Sequence, residues 1–303
     1  MDTFIVGLIA AMFRMATPLI FGTLGELISE KAGILNLGIE GTMFLGAFVG
    51  FAVAFTSGSL WIGLLAAILA GVLAGLLMAI LTVSLGLNQH VSGLGMTLML
   101  TGLSLFFFRI VFGERSVQPS IKAFATLKPF SDIPVIGPIT EQYALTYIAI
   151  LLIPIFWWLI FRTSFGLQIR AAGENPEAAD AAGVNVFRTR YIALGLAGGL
   201  MAAGGAFLSM AQLGSFTFGI VNGRGWVCIA LIIFANWHPV RVLWGALLFG
   251  GLSALQLRLQ STGLKLPYEL FLALPYLMTI LALTLAGRNV SGPAAVLKPY
   301  RRE

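Results

Sequence analysis

The chain has 303 residues, 58% of them hydrophobic and 10% charged, and a mean hydropathy of +0.95. Soluble domains carry about a quarter charged residues, so this composition excludes a soluble globular protein and indicates an all-α polytopic membrane protein. One cysteine (Cys228) and two histidines exclude a disulfide framework and a Cys/His metal centre, and a net charge of +6 reports orientation in a membrane before it reports partners such as nucleic acid.

The amino terminus, MDTFIVGLIAAMFRMATPLIF, has Asp2 where a signal peptide needs positive charge, and no small-residue cleavage site follows, so it reads as a retained span. Crossing a hydrocarbon core of ~30 Å takes about 20 residues. Nine segments qualify, at roughly 4–24, 37–55, 60–86, 92–111, 143–161, 190–212, 224–237, 240–258 and 268–286, with eight or ten as alternatives. The seventh is short and reads as broken, tilted or re-entrant. The spans make one membrane domain, 1–287, followed by a cytoplasmic tail, 288–303.

Between the first two spans, GELISEKAGILNLGIEGTMFLGA (25–47) brackets a charged turn with glycine hinges. Asn36 and Glu40 stand at the start of the second span, and Glu40 is costly against lipid, so it should face the bundle. Asn88 and Gln89 precede the fourth span. The long segment 112–142 holds Pro119, Pro129, Pro134 and Pro138 and reads as an ordered loop or short interfacial helix, either a landing surface for an external partner or a lid.

The most polar interruption is 162–190, RTSFGLQIRAAGENPEAADAAGVNVFRTR. Asn175 can cap a helix, Pro176 suits its first position, Glu177 complements its positive end, and Gly183 stops it. The spacing predicts a helix over 176–182, roughly 10 Å long, narrow because Ala178, Ala179, Ala181 and Ala182 cover it. It is either an ordinary capped surface helix or a docking helix for a cleft on another protein.

Farther on, Gln212, Asn222, Arg224, Asn236, Gln256 and Glu269 mark span edges, and GRGWVCIALIIFANWHPVRVLWGALLFG (223–250) joins a tight entry to a short turn. The candidates for a substrate path are Glu40, Asn88, Gln89, Gln212, Asn222 and Asn236; caps and water could equally satisfy each. Two glycine-spaced stretches, 37–50 and 194–207, fit an old duplication or plain small-residue helix packing. Residues from Arg288 onward, with Pro293 and Pro299, read as a short flexible tail.

Alternating sides back from the basic tail puts Lys31, His90, the loop 162–190 and Arg241 on the cytoplasmic side. Ten of the eighteen Lys/Arg then lie inside, five outside and three within spans, which supports the orientation and sets the amino terminus outside. No G-x-x-x-x-G-K-[ST] occurs, so any nucleotide hydrolysis falls to another polypeptide.

GELISEKAGILNLGIEG (25–41), NQHVSGL (88–94), RAAGENPEAADAAGVNV (170–186) and GRGWVCIALIIFANWHP (223–239) together resemble the permease subunits of ATP-binding-cassette (ABC) importers. The branch is that of ribose, branched-chain amino acid and nucleoside permeases, and the match is nearest its nucleoside and simple-sugar group. The resemblance spans nearly the whole chain, although ribose-type permeases have an additional span at the amino end. It implies a type II-like importer fold in the bacterial cytoplasmic membrane, and a non-catalytic role. It also makes Gly173, Glu174, Asn175, Pro176, Glu177, Ala178, Ala179 and Gly183 the region that couples to a cassette ATPase. Further implied are a second permease in a heterodimer and a lipid-anchored or periplasmic substrate-binding protein. ATP and Mg would sit on the ATPase, with no cofactor or metal on this chain.

A nucleoside is the favoured cargo, because the chain offers amides and twenty-three phenylalanines but few charges. A simple sugar or a branched-chain amino acid is the alternative. A secondary carrier or channel working without an ATPase is the competing class, and a structural scaffold is disfavoured by the glycine hinges.

Overall fold

The computed structural model describes residues 2–113, 119–130, 133, 136–261, 269, 273, 277, 280, 284 and 292–300. In chain order the helices are α1 (Asp2–Lys31), α2 (Ile39–Ser57), α3 (Leu60–Ala79), α4 (Gln89–Phe112), α5 (Ile136–Thr140), α6 (Ala144–Arg162), α7 (Ser164–Glu174), α8 (Pro176–Ala181), α9 (Val186–Phe207), α10 (Arg224–Ala235) and α11 (Pro239–Ser261). Single π-helical segments, Ile80–Ser84 and Leu208–Leu213, extend α3 and α9.

Among the described residues seven helices are long and apolar enough to cross a membrane, and they match the expected spans one to six and eight. The expected seventh, 224–237, contains only the twelve-residue α10, about 18 Å at 1.5 Å per residue and too short for the core. The expected ninth, 268–286, with Glu269, lies outside the described residues apart from isolated positions.

The first helix runs past the expected boundary at 24 and ends at Lys31. Leu24, Leu27 and Ile28 continue its apolar stripe at helical spacing, and all three are buried. The extension draws Glu26 and Glu30 into the bundle.

At the centre stands α9, packed against α1, α2 and α3. Its glycines permit the close approach: a Cβ on Gly198 would collide with the Gly71 carbonyl of α3, and one on Gly205 with the Met43 carbonyl of α2. The two glycine-spaced stretches therefore pack directly on each other, which is the small-residue packing that lipid-embedded helices need.

The helix ends gather at two faces, named inner and outer by the expected orientation. On the inner face, Lys31, Gln89, α7, α8, Trp237 and residues 292–300 converge. On the outer face, β1 (Thr126–Leu127) pairs antiparallel with β2 (Gln142–Tyr143), and the Gln142 amide donates to the Ala10 carbonyl at 3.1 Å, closing the loop over the start of α1. Within that loop Lys128 lies 3.0 Å from Glu141 Oε1, and the Thr126 hydroxyl donates to the same oxygen at 2.9 Å. The Lys128 and then the Thr126 bond hold the Glu141 carboxyl below its ordinary value.

Candidate functional site

Two places stand out, one at mid-depth in the bundle and one at its inner end. The first arises where the chain leaves the helical ladder after Leu213. Gly214, in the left-handed region, accepts from the Ile121 N–H of the outer loop at 2.8 Å. From there to Gly223 the backbone is irregular and runs inward, with Asn222 and Gly223 also left-handed. Gly223 starts α10, which reaches the inner end at Asn236, its left-handed cap. The expected seventh span, 224–237, is thus a half-length helix, and the irregular chain 214–223 that precedes it completes a broken crossing.

Glu40 holds the break. Its Oε1 accepts from the Gly223 N–H at 2.8 Å and its Oε2 from the Gly225 N–H at 2.7 Å. The carboxylate therefore fills the role of an N-cap from a different helix, satisfying donors that lipid could not, beside the positive end of α10. Gly225 is required for this approach, since a Cβ there would meet the Glu40 Cα at 2.6 Å. On the open side of the irregular stretch Phe218 is 81% exposed and Trp226 39%, and Asn222 lies between them in sequence, also exposed.

The other path candidates do not gather here. Asn88 caps α4, accepting from the N–H groups of His90 and Val91 at 3.0 and 3.2 Å. Gln89 is buried and ties down the linker after α1, accepting from the Leu35 N–H at 2.8 Å and donating to the Gly33 carbonyl at 3.4 Å. Asn36, beside it in that linker, accepts from the Gly38 N–H at 3.0 Å and donates its backbone N–H to Glu26 Oε1 at 2.8 Å. Gln212 sits near the outer end, 3.4 Å from Met15 Sδ. Asn236 lies at the inner end of α10, about 18 Å from the break. Only Glu40 and Asn222 meet at one junction.

At the inner end the predicted loop helix is present as α8, one residue shorter than expected. The Asn175 side chain accepts from the Ala178 N–H at 3.0 Å, Pro176 takes the first position, and Gly183 follows in the left-handed region. Before it lies α7, an amphipathic helix that the loop reading did not anticipate. Together they flank a cleft of about 510 Å³ lined by Leu167, Ala171, Glu174, Ala178 and Ala182 among others.

Exposure divides the eight expected coupling residues. Glu174, Asn175, Glu177, Ala178 and Gly183 are exposed and Pro176 is half-buried, whereas Gly173 and Ala179 are buried. Gly173 packs α7 on α1, where a Cβ would collide with the Lys31 carbonyl. It is a contact glycine, and its substitution would disturb packing before docking.

Three inner-end residues, Glu26, Glu30 and Arg190, escaped sequence reading. Glu30 accepts from Trp237 Nε1 at 2.6 Å, joining α1 to the turn after α10. Arg190, buried at the base of α9, donates to the Ala32 carbonyl at 3.0 Å and the Ala172 carbonyl at 3.3 Å, pinning α1, α7 and α9 together. The signal that could have found Glu26 and Glu30 is the continuing Leu24, Leu27, Ile28 stripe; Arg190 left none. Near them His238 stacks on Phe161 at 5.4 Å. Burial, then repulsion from Arg241 and Lys31, lowers its pKa from the ordinary histidine value.

The family model described as "Branched-chain amino acid transport system / permease component" matches residues 8–283. The chain belongs to this permease family. It is a permease subunit of an ABC transporter, and ATP hydrolysis is the work of a partner ATPase, as the four sequence motifs implied. A putative glucose ABC transporter permease of Haloferax volcanii is 40% identical, over 99% of each chain. A guanosine ABC transporter permease of Bacillus subtilis is 36% identical over 97% of this chain and 96% of its own, and a nucleoside ABC transporter permease of Lactococcus lactis 34% over 95% and 94%. The same three organisms each have a second such permease that matches at 27%, 26% and 23% identity, over 67%, 74% and 67% of its own length.

Proposed function

We propose that this chain is the shorter of two permeases in an ATP-driven nucleoside importer of the bacterial cytoplasmic membrane, moving cargo by alternating access. The observation that carries the reading is the irregular stretch 214–223 at mid-depth, which exposes Phe218, Gly219 and Asn222 on one side. Backbone of this kind is not tolerated against lipid and persists in a membrane only against protein or a water-filled cavity. A second permease closing over this face would enclose a path between the two subunits, and the paired permeases of the relatives' organisms support that arrangement.

Aromatic faces at Phe218 and Trp226, the Asn222 amide and the scarcity of charge suit a planar base with ribose hydroxyls. The names of two relatives, guanosine and nucleoside permeases, favour this cargo. A simple sugar is the second reading, favoured by the glucose permease.

The exposed side of α8 docks the cassette ATPase, on which ATP and Mg reside, and a lipid-anchored binding protein delivers cargo to the outer loop. This chain binds no cofactor. Ser261 at the outer end of α11 and Gly292 at the inner face support a type II-like fold with nine crossings in one membrane domain over 1–287.

Uptake of radiolabelled guanosine and glucose into vesicles holding the complete transporter tests the reading. ATP-dependent guanosine uptake is expected, abolished by Ala178→Trp or Glu177→Arg on α8 and absent when the ATPase is omitted. Glucose uptake without guanosine uptake would overturn the cargo; gradient-driven flux through this chain alone would overturn the importer.

A further inference from the structure

Residues 292–300 were expected to form a flexible tail, but they pack along the inner face. The Ala295 N–H donates to the Gly173 carbonyl at 2.8 Å and the Ala294 N–H to Glu174 Oε2 at 3.3 Å, so the segment is fastened to the end of α7. Ala295 itself is 3% exposed. Farther along, the Tyr300 hydroxyl donates to Asp180 Oδ2 on α8 at 2.9 Å. The Tyr300 ring packs with Ala172, Ala179 and Val186, lies 5.9 Å from the Phe187 ring and carries the Arg190 guanidinium 6.0 Å from its centroid.

The other end of the segment touches a different element. Gly292 lies against the Trp237 indole, where a Cβ would come within 2.8 Å of Cη2. Trp237 heads the turn after α10, and the first turn of α10 is the one that Glu40 holds at mid-depth. One short segment thus bridges the back of α8 and the inner end of the half-helix that borders the broken span.

A six-residue helix cannot hold its own shape in water, because nucleation costs more than so few hydrogen bonds return. To pass on a push it needs a stiff support behind it, and chains of packed side chains and hydrogen bonds are what carry such coupling. We propose that residues 292–300 form a strut that positions α8 and links it to α10, with Tyr300 as the positioning residue that sets how much of the ATPase's motion reaches the path. The inference rests on the docking role proposed for α8.

The complete transporter in vesicles is assayed for ATP hydrolysis and guanosine uptake together, and the readout is uptake per ATP hydrolysed, which a simple loss of folded protein does not move. Tyr300→Phe removes the bond to Asp180 but keeps the ring, and is expected to lower the ratio by about 3- to 10-fold, the factor one hydrogen bond is worth. Tyr300→Ala, which also removes the ring, is expected to lower it further, and Ala178→Trp in the same assay abolishes uptake. If both Tyr300 variants keep the wild-type ratio while Ala178→Trp abolishes uptake, the strut is wrong and the docking helix stands. If Ala178→Trp also transports normally, the docking reading falls and the strut with it.

Discussion

Replacing Glu40 tests whether a carboxylate from α2 holds the broken span together. Glu40→Ala leaves the N–H groups of Gly223 and Gly225, now bonded at 2.8 and 2.7 Å, without an acceptor. The buried Gly225 donor costs about 1–3 kcal/mol when stranded and the half-buried Gly223 donor less, so the loss should be about 2–4 kcal/mol. Glu40→Gln can still accept from one of the two N–H groups but turns its NH2 toward the other, and should lose about half as much. In thermal denaturation of the detergent-purified complex, a central cost of about 3 kcal/mol lowers the midpoint by roughly 6–12 °C. Guanosine uptake should fall in the same order, Glu40→Ala below Glu40→Gln below wild type, because the half-helix bordering the path has lost its anchor. A glutamate that only touched cargo would behave differently, raising KM in Glu40→Gln with the midpoint unchanged. An unchanged midpoint in Glu40→Ala would refute the capping argument.

Gly198→Leu should wedge α3 from α9, since even a Cβ there collides with the Gly71 carbonyl; the expected cost is about 3 kcal/mol, read as lost folded yield. Gly195→Ala, three residues earlier on α9, is the internal control and should be tolerated, as its Cβ meets nothing nearer than Leu76 Cδ2 at 3.6 Å. His238 adds a pH dependence. Its folded pKa lies below the ordinary 6.5, so the native state resists protonation, and its contribution is present above pH 6.5 and lost as pH falls from 6.5 through the folded value. Thermal midpoints of the wild type should therefore decline on acidification below pH 6.5, and His238→Asn should flatten that decline; identical profiles would place the acid sensitivity elsewhere.

Local signals made the inner-face helix legible in the sequence. Asn175, Pro176 and Gly183 are a cap, a first-turn residue and a stop that act within a few residues of one another, and α8 begins and ends within one residue of where they put it. Lys31 and the loop 162–190, which the Lys/Arg bias put on one side, also lie together at one end of the bundle, where α7 packs on the Lys31 carbonyl. What failed was everything satisfied from a distance. Glu26 and Glu30 made the end of α1 look like a loop because their partners, the Asn36 N–H and the Trp237 indole, stand on other elements. The same holds for residues 292–300, a short segment with two prolines, whose support comes from Gly173 and Asp180.

Composition was enough to settle the solvent, and charge placement gave the expected side. Hydropathy counts residues that must avoid water, and charge counts those that must not cross, and both are sums over a single chain. Local patterning also placed the capped helix of the loop, whose hydrogen bonds close within three residues. Tertiary packing was needed to show that the seventh span is broken, that Glu40 rather than a local side chain caps its helical half, and that Gly173 packs α7 on the end of α1. Each of these depends on which backbone lies opposite, and groups as far apart in sequence as Glu40 and Gly223 meet only once the bundle has closed around α9.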